Sequence, residues 1–171
     1  DVLGVEIVIA QGTHQAFHPG RTAQLRTQDG QTIGYAGELH PKLLQTENLP
    51  ERTCAFEVNF TELFASRSGV PQASPIYGYP AATQDVALVV DENIPASEVA
   101  QALRDGAGEL LEDLRVFDDY RGQGVESGKK SLAFAMRFRA PDRTLTAEEA
   151  SASREAAVAV AVERFGAVAR V

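Results

Sequence analysis

The 171-residue sequence has no tryptophan, one methionine and one cysteine. A lone Cys54 cannot close a disulfide within the chain, so an apolar core must stabilise the fold, and a reducing compartment, the cytoplasm, is expected. Long apolar runs are also missing. The longest, Ala156 to Val162, covers seven residues, whereas a membrane-crossing helix needs roughly 20, so no membrane partner is expected. The opening Asp1-Val2-Leu3-Gly4 has no initiator Met and no basic region followed by an apolar stretch. No signal peptide is visible in it, and the sequence reads as a piece of a longer chain. Nor is there a surplus of positive charge: 16 Lys and Arg stand against 24 Asp and Glu, a formal net charge of −8. That balance disfavours indiscriminate binding to nucleic acid, DNA included, because such binding depends on neutralising phosphates.

What is present is close to an ordinary globular composition, 44% hydrophobic and 23% charged. The length allows one large domain or two small ones. Residues 66–80, Ser-Arg-Ser-Gly-Val-Pro-Gln-Ala-Ser-Pro-Ile-Tyr-Gly-Tyr-Pro, lack apolar periodicity and read as a connection. They place a boundary near residue 72 and divide the chain into 1–72 and 73–171.

The first part reads as antiparallel strands with little helix. Val5–Ala10 is strand-like, and Thr22–Thr27 and Gln31–Tyr35 flank Gln28-Asp29-Gly30, a hairpin signal. Pro41–Thr46 and Thr61–Ala65 suit short helical turns. Thr53–Phe60 alternates, with Cys54, Phe56, Val58 and Phe60 on one face. The second part is clearer. Asp85–Asp91 alternates as a strand, 95–107 places Val99 and Leu103 on one helical face, and Leu110–Tyr120 is a second strand. Ser131–Ala140 is a third, with Leu132, Phe134, Met136 and Phe138 on its apolar face. Thr146 and Glu149 form a capping box for a helix that should bury Ala150, Ala157, Val158, Ala161, Val162 and Phe165, with Gly166 at its end. Ala167–Val171 closes the series. The order strand, helix, strand, strand, helix, strand predicts an α+β fold: a ferredoxin-like antiparallel sheet with both helices on one face, preceded by a mainly antiparallel-β fragment.

Three motifs invite chemistry. Gly128-Lys129-Lys130-Ser131 fails as a phosphate loop, since Gln123 stands where a Gly is required and a strand follows instead of a helix. His14 and His18 could share a helical face as metal ligands, but Pro19-Gly20 breaks any helix there, so no metal site is expected. The third is a basic stretch. Residues 121–143 hold Arg121, Lys129, Lys130, Arg137, Arg139 and Arg143 against only Glu126 and Asp142. It suits either a solvated strand edge or an anion site. Beside it, Phe117-Asp118-Asp119-Tyr120 ends the second strand. Strict alternation would turn Asp118 inward at high cost; a bulge near Phe117 would turn Asp118 and Tyr120 outward. An exposed ring beside a carboxylate and cations suits an unpaired RNA base. A Tyr packed on the sheet edge, with Asp118 closing a turn, is the structural alternative.

These residues resemble the C-terminal end of the β subunit of bacterial phenylalanyl-tRNA synthetase. Tyr79-Pro80, Asp85-Val86-Ala87-Leu88-Val89-Val90-Asp91, Phe117-Asp118-Asp119-Tyr120-Arg121-Gly122, Gly128-Lys129-Lys130-Ser131-Leu132-Ala133-Phe134, Arg137-Phe138-Arg139 and Asp142-Arg143-Thr144-Leu145-Thr146 are similar to its ferredoxin-fold anticodon-binding domain. His18-Pro19-Gly20-Arg21-Thr22-Ala23 and Ile33-Gly34-Tyr35-Ala36-Gly37-Glu38-Leu39-His40-Pro41 resemble the end of its catalytic-like module. The resemblance implies an α2β2 ligase that joins phenylalanine to its tRNA with ATP and magnesium. Catalysis would lie in the absent α subunit, so this fragment should have no catalytic residue and hold no cofactor. It also implies that Asp118, Tyr120 and Ser131 contact the first anticodon base. Lys129, Lys130, Arg137 and Arg139 are expected to meet phosphate. Two positions depart from the family pattern: Gln84, where an Arg is usual, and Asp119, where an aliphatic residue is usual. A small-ligand regulatory module and a purely structural interface piece are the alternatives from other functional classes.

Overall fold

A computed structural model describes residues 4–67 and 78–170. The chain divides into two compact units, Asp1–Ser74 and Pro75–Val171. The expected boundary near residue 72, and most of the connection over 66–80, lie outside the described residues.

The first unit is a four-stranded antiparallel sheet of β1 (Val8–Gln11), β2 (Phe17–Arg26), β3 (Thr32–Leu39) and β4 (Cys54–Val58), in the order β1-β2-β3-β4. The Asp-Gly signal is a hairpin as expected: the Thr27 N–H donates to the Gln31 carbonyl at 2.9 Å, and Gly30 takes φ +89°, open to glycine. β2 starts earlier than expected and runs through Pro19. A register shift between Phe17 and Thr22 absorbs the missing donor. Two helices, α1 (Pro41–Thr46) and α2 (Phe60–Ala65), follow β3 and β4. His40 caps α1, its Nδ1 accepting from the Lys42 N–H at 3.2 Å. His18 accepts from the Gly20 N–H, and His14 packs against Phe17 and Tyr35. Each histidine therefore has a local structural role.

The apolar face predicted for β4 needs correction. Phe60 is the first residue of α2, because the Asn59 side chain accepts from the Thr61 and Glu62 N–H groups and starts a helix there. Phe56 is 76% exposed and Cys54 is exposed. Among the described residues of this unit, the buried apolar side chains are instead Phe17 and Ile33.

The second unit runs β5 (Ala82–Asp91), α3 (Ala96–Ala107), β6 (Leu111–Tyr120), β7 (Lys129–Phe138), α4 (Ala147–Phe165) and β8 (Val168–Arg170). The sheet order is β6-β7-β5-β8 with antiparallel neighbours, the ferredoxin-like arrangement predicted from the element order. Alternation on β7 places Leu132, Phe134, Met136 and Phe138 inside, all fully buried, with Leu88 and Val90 of β5. α3 contributes Val99 and Leu103, and α4 contributes Ala150, Ala157 and Ala161. Each large apolar side chain so buried stabilises the fold by about 1.5–3 kcal/mol. The alanine stripe of α4 meets Gly106 of α3, where a Cβ would stand 2.7 Å from the Ala157 Cα, so small residues set the close approach of the two helices. Val162, expected inside, is exposed, because alanines at 150, 157 and 161 already define the inner face. The capping box is present, with Thr146 Oγ1 accepting from the Glu149 N–H and Glu149 from the Thr146 N–H; Gly166 ends the helix at φ +60°. Gln84 reaches α4, its Nε2 donating to Ser151 Oγ at 3.0 Å, while its Oε1 is buried without a hydrogen-bond partner among the described residues.

Candidate nucleic-acid interface

Both helices of the second unit pack on one sheet face and leave the other open. What stands on the open face depends on β6. Val116 pairs with Phe134, but Asp118 pairs with Ala133, so Phe117 is an extra residue in the ladder. This is the bulge that the cost of burying Asp118 called for. Past it, Asp118 and Tyr120 share the open face with Ala133 and Ser131, while Asp119 lies opposite Leu132. Asp119 is held by Arg121, with Nη1 and Oδ1 2.8 Å apart. The acid at the unusual position is thus neutralised locally and does not disturb the strand's phase.

Two rows of side chains cross the open face. One runs Asp118, Ala133, Ala87 and Arg170 over β6, β7, β5 and β8; the other runs Tyr120, Ser131, Val89 and Val168. Alanines at 87 and 133 keep the floor low. Together with Asp118, Tyr120, Ser131 and Arg170 they line a shallow depression of about 400 Å³. The two edge strands lie about 14 Å apart at three strand spacings, yet the Tyr120 and Arg170 side chains bridge them. The Arg170 guanidinium carbon is 5.7 Å from the Tyr120 ring centroid, a cation–π contact. The Tyr120 hydroxyl donates to the Gln123 carbonyl at 3.3 Å. Gly122 packs beside it: a Cβ there would stand 2.6 Å from the same hydroxyl. The ring is thus positioned from both ends. Arg170 was not among the predicted site residues. It joins them only through β8's pairing with β5, a contact between residues 83 positions apart that no local pattern announces.

The basic residues separate. Lys129 lies on the open-face side of β7, with its Nζ 3.0 Å from Glu126. Lys130 points the other way, opposite Val90, and is 5% exposed. Burial pushes its ammonium below the ordinary lysine range, partly opposed by the charge of Asp119. The expectation that Lys130 meets phosphate is therefore corrected, because the alternation that buries Leu132 and Phe134 carries Lys130 with them. Arg137 stands near the far end of β7, about 20 Å from Ser131 at six residues of strand rise, and Arg139 lies just past that end. Their Nε atoms lie 2.6 and 2.9 Å from Glu112, and Arg139 also donates to the Tyr79 carbonyl. Asp118, by contrast, has no hydrogen-bond or ion-pair partner among the described residues. An acceptor-only carboxylate, a ring face, a hydroxyl and a guanidinium thus converge on a depression with a flat apolar floor.

Residues 78–170 match the model of the ferredoxin-fold anticodon binding domain. The chain belongs to this family. Residues 1–60 of this anticodon-binding family member match the model of the phenylalanyl tRNA synthetase beta chain CLM domain. The chain is 54% identical over 170 residues to a phenylalanine–tRNA ligase beta subunit of Streptomyces avermitilis, covering 98% of this chain and 20% of the relative. It is 51% identical over 172 residues to the protein of the same name from Thermobifida fusca, covering 99% and 21%. The chain thus spans about a fifth of the length of these relatives.

Proposed function

We propose that the open face of residues 78–170 binds the anticodon loop of tRNA, and that the chain is part of the β subunit of a phenylalanine–tRNA ligase. The observation that carries this reading is the grouping of Asp118, Tyr120 and Ser131, from two adjacent rows, around a low alanine floor, with the Phe117 bulge setting the outward phase of Asp118 and Tyr120. Tyr120 offers a ring for an unpaired base to stack on. Asp118, ionised, accepts from the N1–H and N2–H2 edge of guanine and disfavours a base presenting an acceptor there. Ser131 adds a hydroxyl beneath the base. Arg170 and Lys129 bring positive charge to the rim. Arg137 and Arg139 contribute more to the Glu112 tie at the strand edge than to this site.

In this reading the ligase is an α2β2 assembly in the cytoplasm, and the fragment supports catalysis without performing it. ATP and magnesium would be held elsewhere in the assembly. Gly128-Lys129-Lys130 runs straight into β7 and one of its lysines is buried, so the segment does not fit a nucleotide's phosphates.

The test is a binding titration of the chain with tRNA carrying guanine or adenine at the first anticodon position. Tyr120→Ala should weaken both by about 1–3 kcal/mol, the usual worth of one base stack, whereas Tyr120→Phe should keep most of it. Asp118→Ala should reduce the guanine preference more than the overall affinity. Wild-type affinity in Tyr120→Ala together with full guanine preference in Asp118→Ala would make the pair structural and end this reading.

A further inference from the structure

Binding a loop of RNA requires a cation for its backbone as well as a platform for its base. The second unit's basic residues are almost all engaged already. Arg121 is held by Asp119, Lys129 by Glu126, Arg137 and Arg139 by Glu112, Arg143 by Asp142 and Glu149, and Arg164 by Asp105. Arg154 stands 3.9 Å from Glu155, Arg104 donates to the Leu114 carbonyl, Lys130 is buried, and Arg170 lies over Tyr120. Arg115 is the exception. It is exposed, and among the described residues it has no hydrogen-bond, ion-pair or ring partner.

Its position gives that freedom a use. Arg115 pairs with Ala135 of β7, which pairs with Asp85 of β5, so it stands on the open face in the row next to Asp118, Ala133 and Ala87. Two residues of strand rise, about 7 Å, separate the rows, within the reach of an arginine side chain. The acids that share this end of the face do not pair with it: Asp113 lies opposite Arg137, and Asp85 is two strands away.

We infer that Arg115 holds a backbone phosphate flanking the base bound between Asp118 and Tyr120. The inference rests on the RNA-binding reading of that site. It places the principal phosphate contact on β6, in a residue that stands outside the basic stretch of 121–143. A guanidinium suits the task, since it meets phosphate oxygens in a bidentate fork.

The experiment uses the full 171-residue chain and fluorescently labelled tRNA with guanine at the first anticodon position, titrated at several salt concentrations. Arg115→Gln should lower the slope of log affinity against log salt by about 0.7, the value for one single-strand phosphate contact. Between 50 and 200 mM salt the wild-type advantage would then shrink about 2.6-fold. Arg137→Gln, whose charge Glu112 already holds, should leave the slope unchanged. A methylphosphonate placed in turn at each phosphate of the anticodon loop locates the contact: at one position the wild type should lose affinity while Arg115→Gln loses none further. An unchanged slope in Arg115→Gln, or a lowered slope in Arg137→Gln alone, would overturn the inference. Tyr120→Ala, measured alongside, separates the two ideas. If it weakens binding while Arg115→Gln leaves the slope unchanged, the base site stands and only the phosphate assignment fails; if it has no effect, the RNA site itself is lost.

Discussion

Gly122→Ala offers a way to disturb the proposed base platform without replacing a site residue. The φ of Gly122 is not in the left-handed region, so alanine brings no backbone strain. The new methyl would meet the Tyr120 hydroxyl at 2.6 Å and its Cζ at 2.9 Å. Ordinary carbon contacts lie near 3.5–4.0 Å, so the phenol end must move by about 0.8 Å. Its bond to the Gln123 carbonyl, already long at 3.3 Å, is lost with that shift. A radial gap of 0.5–1 Å forfeits about a quarter to a half of a dispersion contact. Applied to a stack worth about 1–3 kcal/mol, the loss is about 0.25–1.5 kcal/mol, or about 1.5- to 12-fold in Kd. Folding stability should stay within about 0.5 kcal/mol, because the colliding atoms belong to the far end of one movable side chain. Anisotropy titration with a labelled anticodon stem-loop reads the first effect, and a thermal melt reads the second. In a Tyr120→Ala background, Gly122→Ala should cost nothing more. Wild-type binding by Gly122→Ala, or an equal loss in both backgrounds, would show that the loop does not act through the ring.

Two further outcomes concern the scaffold. Gly106→Ala gains roughly 0.8–1 kcal/mol of helix propensity, but its methyl would meet the Ala156 carbonyl at 2.7 Å and the Val160 Cγ2 at 2.9 Å. Overpacking of about 1–3 kcal/mol should outweigh that gain in most of its range, lowering Tm by several degrees in a melt of the chain; a raised Tm would contradict the close helix crossing. The Glu149 carboxyl is held below the ordinary glutamate range, first by the Thr146 N–H and then by Arg143. A depressed folded pKa contributes stability that is complete above the ordinary value of about 4.3 and is lost as pH falls through the lower folded value. Denaturant unfolding followed against pH should therefore be less acid-sensitive in Glu149→Gln than in the wild type.

Local pattern carried most of the second unit, because its strands alternate cleanly and its second helix has a capping box and a terminal glycine. It also carried the bulge at Phe117, since an unpaired inward carboxylate was too costly to accept. The same alternation on β7 would have put Lys130 inside with Leu132; reading the basic residues as one stretch obscured it. Arg137 and Arg139 could not be separated from a phosphate site without knowing that Glu112, on another strand, stands beside them. Arg170 and Arg115 were missed for complementary reasons. The first reaches the site through a long-range strand pairing. The second is distinguished by having no partner among the described residues, which only the three-dimensional structure reveals. In the first unit, the alternation of Cys54, Phe56 and Val58 was real, yet Phe56 is exposed and Asn59 turned Phe60 into a helix start.

The extra residue in β6 also determines how the site would tolerate insertion and deletion. Removing Phe117 would leave Val116 opposite Phe134 and Asp118 opposite Ala133 in an uninterrupted ladder, so both site residues would still face outward. Removing Asp119, two positions on, would turn Tyr120 toward the helices and empty the platform. Length variation in homologous chains should therefore be accepted at the bulge and in the 121–128 loop, and rejected between Asp118 and Tyr120. The spacing of those two residues is as much a part of the proposed binding determinant as their chemical identity.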